Sequence, residues 1–318
     1  MALDVATATL LEQMASGGGK PLHESTPAEA RALGAALAAM AGPAPTMSRV
    51  EDFEIVTAGG VVPVRLLVPP QGARGVIVWY HGGGWVIGNI DEADTVAKKL
   101  AERTSCAVLL VEYRLAPEHR YPAAADDCYA ALEWIAGKLE DFAGREDAPL
   151  IVAGDSAGGN LAAVVALRAR DRGGPAIDLQ VLIYPVTDAD FDRPSYVDPA
   201  NQLLLTREGM VWFWDHYAPD GAQRNDPDAS PLRAADLAGL PPAVVLTAEY
   251  DVLRDEGEAY AQRLTDAGVA VDFKRHLGQT HGFFTLLQLP GSERGFQQVV
   301  KAIRACVIRR TRSQAAEG

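Results

Sequence analysis

Short runs of apolar residues, each of strand length, recur along most of the chain. The first two predict a hairpin through Gly59 and Gly60, while the later ones are continuously apolar, as are strands buried on both faces of a parallel sheet. Between several of them, apolar positions return at helical spacing. This alternation predicts an α/β fold, with a mostly parallel sheet of about eight strands flanked by helices. The predicted strands are 53–57, 61–68, 76–80, 107–113, 150–153, 179–184, 243–247 and 269–274, and the helical segments include 123–138, 161–170, 256–267 and 296–309.

Two segments do not fit this alternation. Residues 1–45 have apolar positions at helical spacing, broken by three consecutive glycines, and predict two helices joined by a loose linker. Residues 189–228 are rich in Asp, Pro and aromatic residues and contain one helical stretch, from about Thr206, its N-cap, to Tyr217. We interpret both segments as a helical cap over the sheet. The predicted divisions are 1–48 for the N-terminal cap helices, 49–188 and 229–318 for the two parts of the α/β core, and 189–228 for the cap insertion.

The composition narrows the function classes. The 318 residues are 48% hydrophobic and 22% charged, which is typical of a globular chain with a large core. The net charge of −13 and the lack of a basic run disfavour partners that need a positive surface, so we expect no nucleic acid and no membrane partner. Residues 1–16 lack Lys and Arg, and no apolar run has membrane-spanning length, so we expect a cytoplasmic protein. The three cysteines are too far apart for a paired motif and are predicted to be reduced thiols.

The sequence Gly-Asp-Ser-Ala-Gly occupies residues 154–158, directly after the apolar run 150–153 and before a helical pattern. A Gly-x-Ser-x-Gly between a strand and a helix is typical of a nucleophile elbow, in which a tight turn exposes the serine oxygen. Side chains in place of the two glycines would collide with the neighbouring strand and helix. We predict that Ser156 is a nucleophile. The alternative is a glycine-rich turn that only packs a helix on a strand.

A second glycine-rich motif, His-Gly-Gly-Gly-Trp, occupies residues 81–85, immediately after the predicted strand 76–80. The unobstructed N–H groups of consecutive glycines can point at one oxygen and stabilise negative charge on it, as an oxyanion hole requires. Neither glycine-rich motif is followed by Lys and then Ser or Thr, and neither matches Gly-x-Gly-x-x-Gly, so a phosphate-binding loop is disfavoured. We expect His81 to brace this loop, and Asp155 to have a structural hydrogen-bonding role.

A serine nucleophile needs a base that is oriented by a carboxylate, and in this arrangement the acid and then the histidine follow the serine along the chain. Of the six histidines, only His276 and His281 come after the penultimate strand. His281 lies in the loop that leaves the last strand, where catalytic groups of α/β sheets collect, whereas His276 continues the strand. We choose His281 as the base.

Three carboxylates that follow the strand 243–247 compete for the role of the acid. Asp255 and Glu258 have the spacing of a capping box for the next helix, which gives Asp255 a structural role. Asp251, a short turn beyond the strand, is the better acid, and Glu249 is the alternative.

Together these motifs resemble the hormone-sensitive lipase family of α/β-hydrolases, in the branch whose elbow reads Gly-Asp-Ser-Ala-Gly. The resemblance covers about residues 50–310 and implies an α/β-hydrolase fold with a cap and a triad of Ser156, Asp251 and His281. The family commonly has Pro where this chain has Val252, a change that alters the rigidity of the turn but not the acid. The motifs are HGGGW at 81–85, YRLAPE at 113–118, YPAA at 121–124, GDSAGGN at 154–160, DVLRD at 251–255 and HGF at 281–283.

The same resemblance implies that the N–H groups of Gly83, Gly84 and Ala157 form the oxyanion hole. It is also compatible with a homodimer through the last strand and helix, although residues 296–309 do not decide this. The expected function is a serine carboxylesterase that needs no cofactor and no metal. Its expected substrate is a small-molecule ester with a short to medium acyl chain. The expected substrate-binding residues are Trp85, next to the oxyanion glycines, and Trp212 and Phe213 in the cap.

Two other functions stay open. A non-catalytic ligand receptor is disfavoured, because receptors that resemble this family have lost the triad histidine, whereas His281 is present. An amidase or peptidase would use the same triad, so the sequence does not separate it from an esterase.

Overall fold

The apolar runs of the sequence form the middle of one sheet. The computed structural model describes residues 2–18, 20–38 and 41–315, and within them eight strands form this sheet. The strands are β1 Arg49–Thr57, β2 Gly60–Val68, β3 Val76–Tyr80, β4 Ala107–Val111, β5 Leu150–Asp155, β6 Leu179–Ile183, β7 Ala243–Tyr250 and β8 Val271–Thr280. Their order is β1-β2-β4-β3-β5-β6-β7-β8, with β2 antiparallel to both neighbours and every later pair parallel. The predicted α/β fold with a mostly parallel sheet is confirmed.

Burial along the strands follows their position in the sheet. Every residue of β3, β4, β5 and β6 is buried, because helices cover both faces there. The edge strands β1 and β8 keep exposed positions. An edge strand does not need a continuous apolar run, which is why β8 extends to Thr280 although the predicted strand ended at residue 274.

Helices cover the two faces of the sheet. They are α1 Val5–Ser16, α2 Pro27–Ala38, α3 Ile90–Thr104, α4 Ala123–Ala136, α5 Leu139–Ala143, α6 Ala157–Asp171, α7 Pro194–Val197, α8 Arg207–Tyr217, α9 Gly221–Arg224, α10 Arg254–Asp266 and α11 Pro290–Ala315, with 3₁₀ turns at Leu22–Glu24, Pro199–Asn201 and Pro231–Arg233. Helices α4, α6 and α10 pack on one face, and α3 and α11 on the other. None of the helices in the described ranges is both long and apolar enough to span a membrane.

Helix α3 is not among the helices that the periodicity singled out. Its buried face contains Ala93, Val96, Ala97, Leu100 and Ala101, which have the spacing of an amphipathic helix, so the pattern was present in the sequence. The helix begins after Asn89, whose side chain accepts a hydrogen bond of 2.9 Å from the Glu92 N–H. Both the apolar spacing and the capping side chain therefore mark this helix.

Two predicted helix caps have different outcomes. Thr206 caps α8 as predicted, because its hydroxyl accepts a hydrogen bond from the Gly209 N–H at 3.0 Å. The capping box of Asp255 is wrong. Helix α10 begins at Arg254, and the Asp255 carboxylate instead accepts a hydrogen bond of 2.8 Å from the N–H of Ser195. A contact between distant parts of the chain thus replaces the local one that the spacing suggested.

Residues 189–228, which we call the insertion, leave the sheet after β6 and return before β7. Both of its ends are held by one side chain: the Asn160 amide donates hydrogen bonds to the Val186 and Ala229 carbonyls, at 2.9 and 2.8 Å. The buried Glu256 carboxylate accepts further hydrogen bonds from the backbone N–H groups of Thr187 and Asp188, at 2.7 and 3.2 Å. The base of the insertion is therefore bonded to α6 and α10.

Residues 2–18 and 20–38, which we call the N-terminal helices, lie mostly exposed on the other elements. At α1, the Asp4 N–H donates to the Gly278 carbonyl beside the end of β8, at 2.9 Å. At α2, the Arg31 guanidinium donates to the Val86 carbonyl at 2.9 Å and pairs with the Glu118 carboxylate. Polar contacts hold this segment in place, and through Val86 they reach the loop that follows β3.

Candidate active site

Ser156 lies at the tight turn between β5 and α6. Its φ of 56° and ψ of −118° are strained values for a residue with a side chain, as in a nucleophile elbow. The turn leaves no room at Gly158, where a Cβ atom would collide with the Tyr80 carbonyl oxygen of β3. Glycine at this position therefore allows the helix to start close to the centre of the sheet.

The three predicted triad residues come together at the carboxyl ends of the strands. His281 directly follows β8, and its Nε2 atom lies 3.0 Å from Ser156 Oγ. Its Nδ1 atom lies 2.8 Å from Asp251 Oδ2. Since the carboxylate can only accept, Nδ1 carries the proton, and Nε2 is left free to accept the proton of the serine hydroxyl.

Asp251 is held in position from behind. It is 1% exposed, and its second oxygen, Oδ1, accepts a hydrogen bond from the Leu253 N–H at 2.9 Å. The carbonyl of the next residue, Val252, accepts a hydrogen bond from the Ser195 hydroxyl at 2.6 Å. The acid is therefore fixed both by its own loop and by a residue of the insertion.

The alternative residues have other partners. The Glu249 carboxylate accepts a hydrogen bond from the Gly278 N–H at 2.7 Å. His276 lies within β8, and its Nε2 atom is 3.1 Å from Gln298 Oε1, where burial lowers the pKa of the imidazole to about 4. Both side chains support the local structure around the last two strands.

The glycine loop after β3 is braced on both sides. On one side, the Gly82 N–H donates to Asp155 Oδ1 at 2.9 Å. On the other, the His81 ring stacks on Tyr113 with centroids 4.2 Å apart, and the Tyr113 hydroxyl donates to the His81 carbonyl at 2.7 Å. The predicted bracing role of His81 and the hydrogen-bonding role of Asp155 both match these contacts.

The loop leaves a group of backbone donors next to the serine. Gly83 and Gly84 have φ values of 109° and 57°, which glycine adopts without strain. Within the described part of the chain, the N–H groups of Gly83, Gly84 and Ala157 donate to no other group, whereas that of Gly82 is taken by Asp155. Unused amides beside a nucleophile are what an oxyanion hole requires.

Burial shifts the pKa values of the two bracing groups. It raises the pKa of the Asp155 carboxyl to about 6 and lowers the pKa of the His81 imidazole to about 4. His81 is therefore neutral near pH 7. Its Nδ1 atom, 2.7 Å from the Gly82 carbonyl oxygen, carries the hydrogen of that contact, because the carbonyl can only accept.

The three predicted substrate-binding residues have separate locations. Trp85 is fully buried, stacked on Tyr217 with centroids 4.2 Å apart, and does not line the cavity described below. Phe213 packs so closely on Gly84 that a Cβ atom there would collide with its ring. Trp212 is partly exposed and contacts Phe213 and His216. Of the three, only Phe213 is placed against the glycine loop.

Comparison with known proteins agrees with this geometry. The family described as the alpha/beta hydrolase fold matches residues 77–285. The chain belongs to this family of α/β-hydrolases. It is 43% identical to the carboxylic ester hydrolase LipN of Mycobacterium tuberculosis, over 82% of this chain and 71% of that one. It is 38% identical to an ethyl acetate hydrolase of Pseudomonas putida, over 95% and 98% of the two chains.

Solved structures give the same result. A thermostable esterase from Pseudomonas putida ECU1011 matches with a TM-score of 0.90 and 37% identity, covering 96% of this chain and 98% of that one. A hyperthermophilic esterase from the archaeon Pyrobaculum calidifontis matches with a TM-score of 0.88 and 38% identity, covering 96% and 99%. The predicted similarity of this α/β-hydrolase to the esterases of the hormone-sensitive lipase family is thereby confirmed.

A cavity of about 200 Å³ opens beside the glycine loop of the hydrolase. It extends from Gly83 and Asp155, past Ile87, to Glu92 of α3. The residues after His281 form another wall, and Gly34 of α2 lies over the far end. Ser156 and His281 do not line the cavity themselves, but their chain neighbours Asp155 and Gly282 do.

Sequence reasoning missed several residues that shape this site. Asn160 lies in the elbow motif, and its amide joins the two ends of the insertion, but nothing in the motif assigns that role. Ser195 and Glu92 come from segments far from the triad in sequence. For Asn160, a polar residue among apolar helix positions was a usable signal, because a buried amide needs partners. For the other two, only the folded structure shows the contact.

Proposed function

We propose that this α/β-hydrolase is a serine carboxylesterase that hydrolyses short- to medium-chain esters through Ser156, His281 and Asp251. The observation that carries the proposal is the chain of contacts from Ser156 Oγ to His281 Nε2 at 3.0 Å and from His281 Nδ1 to Asp251 Oδ2 at 2.8 Å. Relatives named as ester hydrolases, similar over most of the chain, support carboxylesterase activity.

In the first half of the reaction, His281 Nε2 removes the proton from Ser156 as Oγ attacks the ester carbonyl. Negative charge develops on the carbonyl oxygen, and the N–H groups of Gly83, Gly84 and Ala157 stabilise it. The C–O bond then breaks, and protonated His281 gives its proton to the leaving alcohol. The product is an acyl-enzyme on Ser156.

Water completes the reaction by the same route. His281 removes a proton from a water molecule, whose oxygen attacks the acyl carbon. The second tetrahedral intermediate occupies the same donors, and its collapse returns the proton to Ser156 Oγ and releases the carboxylic acid. The buried Asp251 carboxylate stabilises the imidazolium that forms in both halves.

Small substrates fit this site best. The cavity of about 200 Å³ is smaller than the ~300–1,000 Å³ of pockets for drug-sized ligands. The proposed cap consists of residues 1–48 and 189–228. Arg31 at the Val86 carbonyl and Phe213 against Gly84 place parts of both segments next to the glycine loop. A cavity this small leaves little room for the ester as a whole, so a short to medium acyl chain is favoured whichever end of the ester lies in it.

The test is hydrolysis of p-nitrophenyl esters of increasing acyl length by wild type, Ser156→Ala and the exposed control Ser48→Ala. We expect activity that peaks at short chains, a loss of about 10⁴-fold or more in kcat for Ser156→Ala, and no loss for Ser48→Ala. Near-native turnover by Ser156→Ala would refute the mechanism. A matched ester and amide, assayed side by side, distinguish the esterase from the amidase.

The homodimer, the cytoplasmic location and the four divisions of the chain stay predictions. Sedimentation velocity of the purified protein measures the first directly, with a dimer mass as the expected result if the last strand and helix associate.

A further inference from the structure

The charged residues that line the cavity are all acidic within the described part of the chain. Its lining includes two carboxylates, Asp155 near the serine and Glu92 at the far end, and among the described lining residues there is no Lys or Arg. The other lining groups are uncharged, mainly glycines and apolar side chains. The charged side chains that a ligand would meet in this cavity are therefore both carboxylates.

Glu92 forms no ion pair within the described part of the chain. Its Oε1 atom accepts a hydrogen bond of 2.9 Å from the Asn89 amide, a neutral donor. A Cβ atom on Gly34 of α2 would lie 3.2 Å from Oε2, so this oxygen lies directly under the N-terminal helices. Burial and the charges of Glu112 and Asp91 raise the pKa of the Glu92 carboxyl. A positive ligand group would relieve this repulsion.

The cations near Glu92 are already engaged. Arg31 of α2 donates to Glu118 and to the Val86 and Ala116 carbonyls. Arg65 of β2 pairs with Asp52 and Asp91. Lys98 of α3 pairs with Asp94. Glu112, at the end of β4, accepts only from the Ile90 N–H among its recorded bonds in the described chain. The uncompensated groups beside the cavity are therefore carboxylates.

Two ring nitrogens of residues that line the cavity are buried and, among the described residues, have no hydrogen-bond partner. They are Nε1 of Trp79, which is 1% exposed, and Nε2 of His81, which is 5% exposed. Because His81 Nδ1 carries the hydrogen, its Nε2 atom presents a lone pair. The neutral His81 ring thus adds no positive charge to the cavity wall, and Trp79 adds an indole, the aromatic group that cations prefer.

We propose that this cavity holds the alcohol part of the ester and prefers one that ends in a protonated or quaternary amine, with Glu92 as the residue that determines this preference. The proposal rests on the proposed esterase function. The alcohol side is assigned because Gly282 and Thr285, which follow His281, line the cavity, and His281 gives its proton to the leaving alcohol. Glu92 is a specificity residue, since it lies away from the reacting atoms.

The charge of the alcohol should determine how well an ester is hydrolysed. An alcohol ending in a carboxylate would face two like charges in a partly buried space, where Coulomb energies are several times larger than in water. A neutral alcohol of the same shape fills the cavity but gains nothing from Glu92. The predicted order of kcat/KM is therefore cationic, then neutral, then anionic.

The test uses three acetate esters that differ in the charge of the alcohol. They are acetylcholine, its uncharged isostere 3,3-dimethylbutyl acetate, and 3-acetoxypropionate. Acid release is titrated at pH 8, above the raised pKa of about 6 of Asp155, so that this carboxylate is ionised. For the wild type, we expect the cationic ester to exceed the neutral one in kcat/KM, mainly through KM, and the anionic ester to be the poorest.

The variant Glu92→Gln removes the charge and keeps the shape. Glutamine suits this helix position as well as glutamate does, so α3 keeps its cap. We expect the cationic-to-neutral ratio of kcat/KM to fall about tenfold, which corresponds to about 1.4 kcal/mol. Glu140→Gln makes the same charge change on α5, an exposed site on the opposite face of the sheet, and leaves the ratio unchanged.

Three results would contradict different parts of this proposal. A wild-type ratio of one or less, or a ratio that Glu92→Gln does not lower, overturns the preference. The same charge dependence in acyl-side esters, and not in alcohol-side ones, overturns the assignment to the alcohol. Failure of the esterase function itself gives a different result, since then Ser156→Ala hydrolyses all three acetates as fast as the wild type.

Discussion

The N-terminal helices and the insertion both lie next to the active site, but they are attached in different ways. In the insertion, Tyr196, Trp214 and Tyr217 are fully buried and belong to the main hydrophobic core. In the N-terminal helices, buried side chains are few, and Leu10 belongs to a small separate cluster with Leu286 and Leu289. One segment shares the core, whereas the other is bound to the surface.

The polar contacts of the insertion are also more deeply buried than those of the N-terminal helices. The insertion is bonded through Asn160 and Glu256, both fully buried. The ion pair of α2, between Arg31 and Glu118, has side chains that are 33% and 54% exposed. Exposed pairs contribute about 0–1 kcal/mol and are screened by salt, whereas removing one partner of a buried hydrogen bond costs about 1–3 kcal/mol. The insertion should therefore unfold with the core, and the N-terminal helices should detach first.

The largest expected effect is that of Trp214→Ala. Trp214 is fully buried in α8 and packs edge-on against Trp85 with centroids 4.8 Å apart. We expect the free energy of unfolding to fall by about 3–5 kcal/mol, measured by urea titration, in a single transition. Trp212→Ala, at the partly exposed neighbour, should cost less than half as much. A separate early transition in Trp214→Ala would show that the insertion is an independent unit.

Asn160→Ala comes next. It removes both hydrogen bonds that join the ends of the insertion and leaves the Val186 and Ala229 carbonyls without a donor. We expect a loss of about 2–4 kcal/mol in the free energy of unfolding, with faster amide exchange across the insertion. Asn160→Asp keeps the size but cannot donate, so it should be at least as destabilising. Unchanged exchange in either variant would contradict the role of this side chain.

The smallest effect on stability is expected for Arg31→Met. We expect a loss of about 1–2 kcal/mol, because the exposed pair contributes little but the Val86 and Ala116 carbonyls each lose a donor, together with faster amide exchange in α2. Arg49→Met, at another exposed pair outside the N-terminal helices, provides the control and should leave exchange in α2 unchanged. A large global destabilisation by Arg31→Met would remove the distinction between the two segments.

The stability that the pair of Arg31 and Glu118 contributes should depend on pH. Arg31 lowers the pKa of the Glu118 carboxyl from 4.5 to about 2. A lowered pKa means that the pair stabilises the folded state fully above about pH 4.5 and loses this effect as the pH falls toward 2. The difference in Tm between wild type and Arg31→Met should therefore shrink over this range. A difference that grows on acidification would contradict the pairing.

The sequence predicted those parts of the fold and site that depend on local chemistry. The middle strands are continuous apolar runs. The glycines at 82–84 and Gly158 follow closely on such runs, in turns that leave no room for a side chain. The order of serine, acid and histidine along the chain reduced six histidines to His281, which the structure brings next to Ser156. The catalytic assignment itself stays a prediction until Ser156→Ala is measured.

The rest depends on contacts between distant residues. Asp255 has the spacing of a capping box, yet its carboxylate bonds to Ser195. Trp85 follows the oxyanion glycines, yet Trp214 and Tyr217 of the insertion bury it. The negative cavity combines Asp155, the last residue of β5, with Glu92 of α3, a helix that was not among the predicted ones. No local pattern encodes which of these residues meet.

The Asn160 contacts have a consequence for how this scaffold can change. The Val186 and Ala229 carbonyls are both within reach of one amide nitrogen, so the two ends of the insertion meet at a single point. The entropy of closing a loop between fixed ends grows only slowly with its length. Segments of other lengths can therefore be joined to these two ends at little entropic cost, provided that they fill the places of Tyr196, Trp214 and Tyr217 in the core. One amide fixes where such a segment begins and ends, and the shared core limits what it can contain.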